Sequence, residues 1–176
     1  MEILSKKIIS RVEDKTFTRP NLTGYGTMGG GSAACQQSSI HSGSTTQAWK
    51  AFDNSSSTYW QSGTGTVNKN RAEWITFYNP YPINLVGVIF YHHWSNVWIV
   101  KSGVIQGSND NSTWETLASI SNGSAKQNYS ISISSNKYYK YHRFYASTTK
   151  PNYSDGNWYC WALNDIKIYA NYEVIG

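Results

Sequence analysis

From Ala33 onward the chain repeats one pattern: a short run rich in β-branched and aromatic residues, then a cluster of Asn, Asp, Gly, Pro and Ser, then another run. The runs are EWITFY (73–78), INLVGVIFY (83–91), VKSGVIQGS (100–108), TWETLASI (113–120), YSISI (129–133), KYYKYHRFYA (137–146) and LNDIKIY (163–169). Between them lie YNPYP, SNDNS, SNGSAK and TTKPNYSDGN, turn-forming residues that supply positive or fixed φ angles and local side-chain hydrogen bonds. Strands of this length and spacing, with no 3.6-residue apolar period between them, predict an all-β chain, a sandwich or jelly roll.

Composition agrees with this reading. Charged residues are 14% and aromatics 15% of the 176 residues, a balance that suits pleated surfaces and hydroxyl-rich loops rather than amphipathic helices. The length suits one domain with a single core. The net charge of +5 is spread along the chain, with Lys6, Lys7, Arg11, Lys15 and Arg19 set against Glu2, Glu13 and Asp14. No basic run marks a nucleic-acid surface. No segment approaches the roughly 20 apolar residues of a membrane span, and MEILSKKIIS lacks the apolar core and cleavage site of a signal peptide. The expectation is synthesis in a host cytoplasm, with no membrane or nucleic-acid partner. Cys35 and Cys160 are then more often reduced than bridged, although they would meet if the first and last strands are neighbours.

Two parts are distinguished along the chain. Residues 1–30 begin with mixed charge and run into TRPNLTGYGTMGG, where Pro20 and the glycines from Gly24 onward oppose a regular helix or central strand. They are expected to form an extended arm that orders against a partner. Residues 31–176 are expected to form the β-domain.

The order AFDNSSSTYW, EWITFYNPYPINLVGVIF, SGVIQGSNDNSTWETLASI, KYYKYHRFYA, LNDIKIYA resembles the discoidin, or coagulation-factor type C, superfamily and its bacterial carbohydrate-binding modules. The resemblance covers about Ala33 to Ala170 and is most specific in A-F-D-x-x-x-S-T-x-W and GSNDNSTWETL. FTRPNLTGYGTMGG is similar to the lead-in of short discoidin-like proteins of tailed phages and prophages. The resemblance implies an eight-stranded antiparallel jelly roll with ligand loops at one end. Asn109–Asn111 suits a hairpin turn flanked by Trp114 and Leu117. Trp60 and Trp74 fall at strand positions and His142 inside a strand, which makes them structural.

The family also implies a structural calcium in the AFDNSSST loop. Asp53 and Thr58 fill the first ligand roles, Ala51 and Ser55 offer carbonyls, and Asn164 and Asp165 stand near the position where the family places a last-strand carboxylate. Calcium takes six to eight hard oxygens, so this set is sufficient in kind, although Asp165 is one methylene shorter than the Glu usual in the family. The alternative is an Asx-type loop in which Asp53 accepts from the amides of Ser55 and Ser56.

Ligand contacts are expected in the irregular, aromatic loops. YHHWSNVWIV carries His92, His93, Trp94, Asn96 and Trp98; QSGTGTVNKNR ends at Arg71; NWYCW carries Trp158 and Trp161. A sugar site needs an exposed aromatic platform and a few convergent polar groups. Trp94 or Trp98 can be the platform, with His92, His93, Asn96 and Arg71 as the polar edge and Trp158 as a further candidate. Each has a bland reading too: either Trp can cap the sandwich, a His pair beside strands is more often hydrogen-bonded surface, and Trp161 suits the core.

Catalysis is not expected. The ten acidic residues include no pair in a loop cluster, and GxSxG, HExxH and phosphate-cradling motifs are absent from the sequence. The reading is a non-catalytic module recognising a cell-surface glycan, carried on the tail or surface of a phage or prophage virion. The alternative is a structural virion protein that assembles with other virion subunits through its arm. Self-association is a further partner class.

Overall fold

The computed structural model describes residues 15–26, 34–63, 65–66, 72–150 and 158–172. Among these, eleven strands occur in chain order: β1 (Lys15–Phe17), β2 (Cys35–Gln37), β3 (Trp60–Gln61), β4 (Gly65–Thr66), β5 (Glu73–His92), β6 (Val100–Ser108), β7 (Glu115–Ser121), β8 (Asn128–Ser132), β9 (Tyr139–Thr149), β10 (Trp158–Tyr159) and β11 (Ala162–Tyr172). The one regular helical turn described is a 3-10 turn over Ala48–Ala51.

Strand β5 organises the sandwich because it belongs to both layers. Its first half pairs antiparallel with β2 and β9, as in Cys35↔Phe77 and Phe77↔His142, and β9 continues into β6 and β7. Its second half pairs with β8 and β11, as in Ile89↔Ser130 and Lys167↔Ile89, and β11 takes up β1 and β3. The sequence divides EWITFY from INLVGVIFY at YNPYP; the chain instead stays extended there while the β9 register shifts between Tyr78 and Ile83. Proline fixes an extended φ and removes a ladder donor, so Pro80 and Pro82 sit where pairing changes hands. The long strands make up the expected antiparallel sandwich, and two- and three-residue pieces raise the strand count above eight.

Alternation fills the space between the layers. Val88 and Phe90 of β5 and Ile166, Ile168 and Ala170 of β11 point inward, while Lys167 and Tyr169 point out. Trp60 and Trp161 are fully buried and meet edge to face at 5.5 Å, and Phe90 packs against both Trp161 and Phe144. Trp74 is half-buried, and His142 is fully buried. Aromatic pairs at these separations add roughly 0.5–1.5 kcal/mol each beyond area burial. Gly103 of β6 lies so close to β9 that a Cβ there would meet the Tyr145 carbonyl oxygen at 2.0 Å.

The β6–β7 turn follows the sequence closely. Asp110 Oδ1 accepts from the amides of Ser112 (2.8 Å) and Thr113 (2.7 Å), and Asn111 takes a positive φ of 59°. Trp114 lies under the Arg143 guanidinium at 4.2 Å.

The N-terminal segment differs from the expected arm. Strand β1 pairs antiparallel with the end of β11, Phe17 and Leu22 are buried in the core, and the Leu22 amide donates to the Phe52 carbonyl. Residues 15–26 of that arm therefore belong to the folded domain, because Phe17 and Leu22 give them apolar surface to bury. Residues 1–14 and 27–30 lie outside the described residues. Cys35 and Cys160 are buried, free thiols, and burial pushes the Cys35 thiol up to about 12.

Candidate functional site

Three segments converge at one end of the β5–β11 pair: loop 53–58, loop 93–98 and the bulge of β11 between Leu163 and Asp165. Asn164 sits in that bulge and links them. Its Nδ2 donates to the carbonyls of Thr58 (2.7 Å) and Ser56 (3.0 Å), and its Oδ1 lies 3.2 Å from His93 Nδ1.

Above this anchor the aromatics form a stepped ridge. His93 stacks flat on Tyr59, with ring centroids 3.9 Å apart. Trp94 stands edge-on to His93 at 4.6 Å and to Trp98 at 5.5 Å, and is 40% exposed. Loop 93–98 is fixed by its backbone: the His93 amide donates to the Ala162 carbonyl, the Trp98 amide to that of Lys150 at 2.7 Å, and the Ala162 amide to the Trp98 carbonyl. These bonds hold Trp98 at φ +55°, an unfavourable conformation for a bulky residue that persists only when its surroundings enforce it. Trp98 is half-buried and its indole N–H is buried without a partner.

Beside the ridge, and reached through Asn164, an open pocket of about 310 Å3 is lined by Asn54, Ser55, Ser56, Gln127, Asn128 and Lys167 with the Tyr91 ring. Lys167 Nζ lies 5.2 Å from the Tyr91 centroid. A cleft of amides and hydroxyls, with the Lys167 ammonium and the Asp165 carboxylate on its lining and an aromatic wall, suits a polyhydroxylated ligand.

The expected site residues divide. His93, Trp94, Asn96 and Trp98 share the ridge loop, where Asn96 is exposed. His92 does not join them. It is 2% exposed, its Nδ1 is 2.6 Å from the Gln127 carbonyl oxygen, and its Nε2 accepts the Val100 amide at 3.3 Å. This geometry fixes the neutral ring with the proton on Nδ1, and burial holds its pKa down to about 4. His92 pins β5 to its neighbours; it borders the pocket described above, with both ring nitrogens already engaged. The alternation that turns Phe90 inward turns His92 inward as well and Tyr91 outward, so Tyr91 was legible in the sequence but missed. Tyr59, Gln127, Asn128 and Lys167 carry no local signal; the fold alone collects them. Arg71 and the side chain of Trp158 lie outside the described residues; the Trp158 backbone pairs with Thr66.

The residues expected to hold calcium do not fit it as arranged. Asp53 Oδ1 accepts from the Ser55 amide (2.9 Å) and Oδ2 from the Thr58 hydroxyl (2.6 Å), the pattern of an Asx loop. Asp165 Oδ1 is paired with Arg19 Nη2 at 2.9 Å, and Asn164 presents its amide nitrogen to the loop. Ala51 is buried in the 3-10 turn. Among the described residues no group of three or more His, Cys, Asp and Glu side chains could hold a metal. Calcium needs convergent free oxygens; here both Asp53 carboxylate oxygens and Asp165 Oδ1 already face donors.

The sequence of residues 50–144 matches the family model of the NedA-like, galactose-binding domain. The chain belongs to this family. Solved structures agree with the NedA-like, galactose-binding fold. Chitosan-binding module 2 of a chitosanase/glucanase from Paenibacillus sp. IK-5, solved with chitotriose, is 22% identical with a TM-score of 0.60, over 77% of this chain and 95% of that one. A family 32 carbohydrate-binding module of a family 31 glycoside hydrolase from Clostridium perfringens has a TM-score of 0.62 at 17% identity, over 80% and 92%. The family 32 module of Clostridium perfringens NanJ, solved with galactose, has a TM-score of 0.58 at 10% identity, over 77% and 91%. No curated protein matches the sequence. In this NedA-like, galactose-binding domain, the ridge and the pocket gather aromatic and amide groups at one end of the sandwich.

Proposed function

We propose that this NedA-like domain is a non-catalytic carbohydrate-binding module whose sugar platform is Trp94. One observation carries the reading: Trp94 is an exposed indole held edge-on between His93 and Trp98, and its loop is tied by backbone bonds to Lys150 and Ala162. A rigid aromatic face binds the apolar C–H side of a pyranose without an ordering cost. The polar pocket beyond Asn164 then receives hydroxyls of the same or the next sugar. Neighbours solved with galactose, N-acetylgalactosaminyl-galactose and chitotriose support the ligand class. The likeness of FTRPNLTGYGTMGG to phage and prophage lead-ins supports a virion-borne role, in which the module recognises a glycan on the host surface.

The test is an array of galactose-, N-acetylgalactosamine- and chitooligosaccharide-terminated glycans probed with the full chain and with Trp94→Ala. Retention of a glycan by the wild type and its loss in the folded variant is expected. A wild type that retains none, or a variant that binds as well, overturns the reading.

A further inference from the structure

A buried guanidinium lies beside the Asp53 loop. Arg19 extends from the segment after β1 into the gap between loop and last strand, and its side chain is 7% exposed against 10% for Asp165. Its Nη2 donates to Asp165 Oδ1 at 2.9 Å, and its Nη1 donates to the carbonyls of Phe52 and of Pro20. The guanidinium carbon lies 5.7 Å from the Phe52 ring centroid. Both Asp165 and Asp53 act electrostatically to keep Arg19 charged against the burial that disfavours it. Its backbone is held on either side, by β1 on β11 and by the Leu22 amide on the Phe52 carbonyl.

We propose that the Arg19 guanidinium is the resident cation of the Asp53–Asp165 site, filling the role that the family resemblance gives to calcium. The loop that carries Asn54, Ser55 and Ser56 into the pocket is then metal-independent, and its shape depends on the docking of residues 17–22. The chemistry suits the substitution. A planar fork of donors satisfies one carboxylate and two carbonyls at fixed angles, where calcium would draw six to eight oxygens inward. Asp53, freed from metal ligation, closes its own loop through Ser55 and Thr58. The proposal does not depend on which ligand the pocket takes.

Removing the guanidinium should uncover a divalent-cation site. Arg19→Ala leaves the Asp165 carboxylate and the Phe52 and Pro20 carbonyls without their donor and Asp53 without its nearby charge, which lowers Tm by roughly 10 °C and makes it rise again with millimolar calcium. The wild type should show the same Tm in chelator and in calcium, and no calcium bound by elemental analysis. Arg19→Lys keeps a charge in place and should recover at least half of the lost Tm while remaining calcium-insensitive. Should Arg19→Ala be too unstable to purify, a stable, calcium-insensitive Arg19→Lys supports the cation requirement. A wild type that binds calcium stoichiometrically and gains Tm overturns the proposal. So does an Arg19→Lys variant no more stable than Arg19→Ala, because packing rather than charge would then be what Arg19 supplies.

Discussion

The imidazole of His93 lies on the ring of Tyr59 at a centroid separation of 3.9 Å and an interplanar angle of 8°. The two residues come from different loops, and their contact makes a shelf against which Trp94 stands edge-on. The exposed indole is thus the top of a stack whose lower members are already in place before any ligand arrives.

Trp94 and Trp98 should respond oppositely to truncation. Trp94→Ala should abolish glycan retention at a stability cost of about 1 kcal/mol, since a 40% exposed ring loses only its edge contacts with His93 and Trp98. Trp98→Ala should cost on the order of 2–3 kcal/mol, below the range for fully buried rings, because Trp98 is only half-buried. Thermal melts paired with glycan binding on both variants check this. Equal destabilisation by the two would place Trp94 in the core.

Tyr59 should act on affinity through position. Tyr59→Phe keeps the stacked face and should leave binding within about twofold, whereas Tyr59→Ala frees His93 and should weaken binding roughly tenfold, the equivalent of about 1.4 kcal/mol. Titration calorimetry with a retained glycan distinguishes them, and a Tyr59→Phe variant as weak as Tyr59→Ala would assign the effect to the hydroxyl instead.

Asn164 should matter for stability as well as for the site. Asn164→Ala leaves the carbonyls of Ser56 and Thr58 and the His93 ring without their partner. The Thr58 carbonyl and the His93 ring are half-buried and cost about 1 kcal/mol each when unpaired, whereas the exposed Ser56 carbonyl turns to water, so a total of about 2 kcal/mol is expected in urea unfolding. Asn164→Asp should be no better, because a carboxylate cannot donate to those carbonyls.

Stability should fall as the pH drops below about 6.5. Burial holds His92 down to about 4 and His142 to about 3, so both stay neutral in the folded chain while the unfolded chain takes up protons. The unfolded state binds the extra protons, hence stability is fully present above the unfolded value near 6.5 and is lost toward pH 4, by up to about 1.4 kcal/mol per pH unit for each ring. Protonation of His92 also removes the acceptor for the Val100 amide. Urea midpoints between pH 7 and 5 measure the slope, and His142→Leu should reduce it. A flat profile over that range would mean that the rings are open to solvent.

The strand class, the turns and most of the core are legible along the chain. Those features rest on local rules: alternation along EWITFY and INLVGVIFY, the Asp110 turn, and the apolar weight of Trp60, Phe90 and Trp161. Alternation read one residue further would also have turned His92 inward and Tyr91 outward. Long-range packing supplies what a local pattern cannot carry. Arg19 reaches Asp165 across 146 positions and enters the Asp53 loop from a segment whose Pro and Gly content reads as an arm. Tyr59 meets His93, and Asn164 meets Thr58, only because the register of β11 on β5 brings the two loops to one end of the sandwich. The family pattern named the loop's acidic residues. The identity of the cation opposite them depended on which distant side chain the packing delivered, since Coulomb attraction and guanidinium hydrogen bonds act through distance in space and not along the chain.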